Sequence, residues 1–88
     1  MADVFIGVIV PPEYGTRPGW WEYRDKLESK TKEFGWPDPE GCGPFEEDGI
    51  VKGFSLCYEL DCTLDVLQDC MIKLRCEFTL EDEVTLNV

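Results

Sequence analysis

The chain has 88 residues, of which nineteen are acidic, eight basic and none histidine, for a formal charge of −11 at neutral pH. Its length suits one domain (1–88), and its 43% hydrophobic and 12% aromatic content excludes a disordered chain. No stretch approaches the ~18 apolar residues of a membrane-spanning helix, and the negative charge argues against direct contact with nucleic acid or anionic lipid.

Asp3–Val10 is β-branched and almost continuously apolar, the pattern of a central strand or one buried on both faces. Gly7 allows close backbone approach in its middle, and Pro11-Pro12 ends it. After a loop at Glu13–Gly19, with Pro18 suited to a first helical turn, the pattern becomes helical from Trp20 to Phe34. Trp20, Tyr23, Leu27, Thr31 and Phe34 form one stripe, with Glu22–Lys26 and Glu28–Lys32 as expected i,i+4 pairs. Gly35 stops the helix, and Trp36-Pro37 cannot continue it.

Trp36–Asp48 is rich in Pro, Gly and acid and reads as a loop or an irregular edge. Gly49–Leu60 is a strand in which Phe54, Leu56, Tyr58 and Leu60 alternate with polar residues. Lys52-Gly53 is a candidate tight turn or bulge that would split this region into a hairpin. Thr63 is the expected N-cap of a second helix, Asp65 sits in its first turn, and Leu67, Cys70, Met71, Leu74 and Phe78 form its stripe, extended backward by Leu64. A turn at Glu81–Glu83 and a last strand at Glu83–Val88 complete the chain.

The expected fold is α+β: a single small domain, ferredoxin-like βαββαβ or else βαβαβ, with two helices on one face of a mainly antiparallel sheet. The crossover rule places the first strand beside a later parallel one. The N-terminal sequence lacks the basic segment of a signal peptide, which points to a cytoplasmic protein.

The charge is lopsided. Residues 1–37 hold six acids and five bases, while residues 38–88 hold thirteen acids and three bases. A charge of −11 exceeds the magnitude of roughly 2–8 that keeps a small domain soluble. The five cysteines (42, 57, 62, 70 and 76) form no Cys-x-x-Cys pair, so reduced thiols acting as small hydrophobes are expected in place of zinc or disulfides. Neither Glu46-Glu47-Asp48 nor Glu81-Asp82-Glu83 has calcium-loop spacing, so no metal or other cofactor is expected. Without histidine, the usual base for nucleophilic catalysis is missing, and acids at Glu59 and Asp61 would hold nearby thiols protonated. A non-enzymatic protein is expected.

Carboxylates on a rigid scaffold can imitate the phosphates of a duplex. The chain is therefore expected to bind a basic protein, such as a nucleic-acid-binding enzyme or effector complex, as a monomer or homodimer. The candidate contacts are Glu40, Glu46, Glu47, Asp48, Glu59, Asp61, Asp65 and Asp69, with Trp36 as an apolar anchor. In size and charge the chain resembles, as a class, small acidic phage proteins that block CRISPR effectors, restriction enzymes or uracil-DNA glycosylase. Host cytoplasm would then be its location. The alternatives are an antitoxin or immunity protein for a basic toxin, a structural or assembly subunit, and a small metal-binding domain.

Overall fold

The computed structural model describes residues 2–86. The elements run β1 (Ala2–Ile9), a short 3-10 turn (Pro12–Tyr14), α1 (Arg17–Glu33), β2 (Gly41–Glu47), β3 (Ile50–Leu60), α2 (Leu64–Glu77) and β4 (Leu80–Leu86). The strands form one sheet in the order β2-β3-β1-β4, with every neighbouring pair antiparallel. This is the expected ferredoxin-like α+β arrangement. One expectation changes: both neighbours of β1 are antiparallel to it, because β3 inserts between β1 and β2.

Period-two alternation decides the faces. Val4, Ile6 and Val8 of β1 stand opposite Tyr58, Leu56 and Phe54 of β3, and all six are buried. They share one core with Tyr23 and Leu27 of α1 and with Leu67, Met71 and Leu74 of α2. Both helices therefore cover the same face of the sheet, and among the described residues the opposite face has no helix. β1 is central but not buried on both sides, since Asp3 and Phe5 look outward.

The helix signals act locally as their chemistry dictates. The Thr63 hydroxyl accepts a hydrogen bond from the Val66 N–H at 3.4 Å. At the end of α1, the Trp36 N–H donates to Thr31 O (3.1 Å) and the Gly35 N–H to Lys32 O (2.9 Å). Gly35 has φ 83°, so this is a Schellman stop. The ion pairs of α1 differ from the expected ones. Arg24 pairs with Glu28 at 3.3 Å, and Lys30 reaches Glu33 at 3.6 Å and Glu77 on α2 at 3.3 Å. Leu64 is exposed and does not extend the α2 stripe, whereas Phe78, just past the helix, is buried.

The main departure lies in the segment read as a loop. Gly41–Glu47 is an edge strand, joined to β3 by a two-residue turn at Asp48-Gly49 with φ of 54° and 78°. Positive φ at both positions is the geometry of a type I′ hairpin turn. Lys52 is the extra residue of a bulge, because Glu46 stands opposite Val51 and Phe45 opposite Gly53. The last strand also begins earlier than expected, at Leu80, so Glu81-Asp82-Glu83 lies within a strand. The expected end of that strand, residues 87–88, falls outside the described residues.

Candidate functional site

The helix-free face of the sheet gathers side chains from all four strands. Alternation places Asp3, Phe5, Gly7 and Ile9 of β1 on it, with Glu59, Cys57, Ser55 and Gly53 of β3 directly opposite. On the other side of β1, Glu81 stands opposite Gly7 and Glu83 opposite Phe5. β2 adds Phe45, whose ring lies over Gly7; a Cβ on Gly7 would sit 2.6 Å from Phe45 Cδ1. Gly53, opposite Phe45, has no side chain to block that ring. The result is an apolar centre of Phe5, Ile9 and Phe45 bordered by carboxylates.

The acidity concentrates at one end of this face. Asp3 and Glu59 occupy directly opposed positions on the two central strands. Glu40, whose backbone N–H extends the ladder by donating to Cys57 O at 2.7 Å, brings its carboxyl group to Glu59. The Glu40 charge and a shared hydrogen bond raise the Glu59 pKa above its ordinary value, and partial desolvation and Asp3 add to the rise. Like charges directly opposed on a sheet are destabilising.

The cations of the acidic half are engaged elsewhere. Lys52 pairs with Glu47 at 3.3 Å, Lys73 with Asp69 at 3.1 Å, and Arg75 grips Asp82, both of whose carboxylate oxygens lie 2.6 Å from Arg75 Nη2. Among the described residues, Glu81 and Glu83 have no cation within 4.0 Å.

The contacts expected from sequence separate in space. Glu40 and Glu59 meet at the sheet face. Glu46, Glu47 and Asp48 lie at the tip of the β2–β3 hairpin, with Glu47 tied to Lys52. Asp61 is in the exposed turn after β3, and Asp65 and Asp69 are exposed on α2. Trp36 is corrected outright. It is only 8% exposed and packs against Phe34 and Tyr58, with ring centroids 5.8 and 5.1 Å away. The Schellman stop turns it back into the core, where it cannot anchor a partner. Asp3, Glu81 and Glu83, absent from the expected contacts, belong to the face. Strand alternation at residues 80–86 was the signal that would have revealed the latter two.

The cysteines are more exposed than small hydrophobes would be. Cys42, Cys57 and Cys76 are exposed, Cys62 is half-buried, and only Cys70 is buried, where desolvation raises its thiol pKa. No group of three or more metal-ligating side chains occurs among the described residues, and none of their helices is long and apolar enough to cross a membrane. Comparison with protein-family models, curated proteins and solved structures finds no match.

Proposed function

We propose that this chain is a non-catalytic binding protein whose helix-free sheet face engages a basic, nucleic-acid-binding protein and blocks the surface that partner uses for nucleic acid. The observation that carries this reading is the convergence of Glu40, Glu59 and Asp3 at one end of that face, close enough to raise the Glu59 pKa. Glu81 and Glu83 continue the charge along the neighbouring edge strand. A fold gains no stability from opposing like charges, so the meeting of Glu40 with Glu59 makes sense if a partner's cations approach them. The apolar centre with a charged border matches the layout of protein interfaces, where the buried middle supplies affinity and the charges supply steering and register. Inhibition of a restriction or CRISPR-type effector is the form of this activity that the size and charge suggest.

Capture from a bacterial lysate tests it. The immobilised chain should retain basic nucleic-acid-binding proteins at about 50 mM salt and release most of them at about 500 mM, since screening shortens the reach of surface charge. Added duplex DNA should compete. Retention that ignores both salt and DNA would contradict the proposal.

A further inference from the structure

We infer that a cleft between α1 and the β2–β3 hairpin, on the helix side of the sheet, binds a small planar aromatic anion: one or two rings bearing a carboxylate or sulfonate. The cleft exists because the buried positions of α1 begin only at Tyr23, nearly two turns in, while β2 presents exposed Cys42 and Pro44 on its helix side. The first turn of α1 and the edge strand thus stand apart. Trp20, Trp21, Pro44 and Phe54 line the space between them, which holds about 230 Å³. An apolar cavity of ~150 Å³ accommodates benzene, so this volume suits one or two rings.

Two observations select the charge of the occupant. Among the described residues no acidic side chain lines the cleft, although acids outnumber bases nineteen to eight in the chain. Arg17 and Arg24 both line it. Arg17 has no carboxylate within 4.0 Å among the described residues. Arg24, whose Nε donates to Glu28 at 3.3 Å, lies 5.3 Å from the Trp21 ring centroid, and Trp21 is 60% exposed, so Arg17 is the cation of the cleft with no carboxylate partner among the described residues. The Trp20 indole N–H donates to Gly15 O at 3.2 Å, which fixes the inner wall. An apolar cleft with two arginines among its lining residues complements an aromatic ring that ends in a planar anion.

The test is a titration of the full chain with 1-naphthoate and with neutral 1-naphthamide, followed by tryptophan fluorescence. Naphthoate should quench saturably and bind about fivefold or more tighter than the amide, the preference expected of charge-assisted contacts. In an Arg17→Gln/Arg24→Gln variant with an unchanged circular dichroism spectrum, the two ligands should bind equally. Saturating naphthoate should also slow alkylation of Cys42 by iodoacetamide while leaving Cys76, exposed on α2, unaffected. Absence of saturable quenching, equal affinity of the unaltered chain for both ligands, or undiminished Cys42 alkylation would each overturn the inference. All three are read on the unaltered chain, so they stand whether or not the double variant folds.

Discussion

Gly53 and Gly7 serve the sheet in different ways. A Cβ on Gly53 would collide with the Val8 carbonyl oxygen, a backbone atom on the adjacent strand that cannot swing aside. A Cβ on Gly7 would meet the Phe45 ring, a side chain on the open face with some freedom to move. Gly53→Ala should therefore cost about 2 kcal/mol or more in urea unfolding and Gly7→Ala about 1 kcal/mol, in line with strain in packed sites. Equal costs would contradict the assigned contacts. Glu59 gives a test by pH. Its folded pKa lies above the ordinary 4.5, so the folded state binds its proton more tightly than the unfolded chain does. The associated stability is fully present below pH 4.5 and is lost as pH rises through the raised value. Glu59→Gln should thus raise the melting temperature at pH 7 in low salt, and the gain should shrink toward pH 4 and in high salt. A lowered melting temperature at pH 7 would contradict the crowding of Glu59 by Glu40 and Asp3.

Among the elements, the β2–β3 hairpin decides both the face and the cleft. Type I′ geometry places Asp48 at φ 54° and Gly49 at φ 78°, a region that costs a residue with a Cβ about 1–2 kcal/mol. Gly49→Ala should destabilise by about 1 kcal/mol, and Asp48→Asn should stabilise by a few tenths, because Asn tolerates the turn better and removes a charge from the acidic tip. A neutral Gly49→Ala would argue against the turn. This hairpin is also where the sequence was hardest to read. Phe54 to Leu60 alternates cleanly because one face enters the core, and the Trp20-to-Phe34 stripe is plain for the same reason. Gly41–Glu47 has no buried residue to impose a period, and its glycines and Pro44 are depleted from ordinary strands. It is an edge strand, where proline is tolerated and core packing sets no pattern. Asp48-Gly49 was itself a hairpin signal, masked by the acidic run around it. β4 begins at Leu80, three residues before the start its sequence suggests, for a related reason. Three contiguous acids look like a turn, yet alternation sends Glu81 and Glu83 to the open face and Asp82 to Arg75 on the helix side.

At the scale of the whole molecule, the lopsided charge acquires a direction. The five bases of residues 1–37 lie on or beside α1, and two of them border the helix-side cleft. The three bases of residues 38–88 are paired with Glu47, Asp69 and Asp82. Glu40 and Glu59 crowd one another on the helix-free face, while Glu46, Glu47 and Asp48 lie at the hairpin tip and Asp65 and Asp69 on α2. Fold class and helix faces followed from hydrophobic periodicity. Which acids share a surface depended on strand boundaries and register, where a one-residue error moves a side chain to the opposite face. The direct test of the binding surface compares two triple variants with equal charge loss in salt-dependent capture of basic nucleic-acid-binding proteins. Glu59→Gln/Glu81→Gln/Glu83→Gln should weaken capture at about 50 mM salt by about tenfold or more, as expected when several charge pairs are lost, while Asp48→Asn/Asp61→Asn/Asp65→Asn should change it by less than about threefold. Equal losses in the two variants would show that net charge, not the sheet face, does the binding.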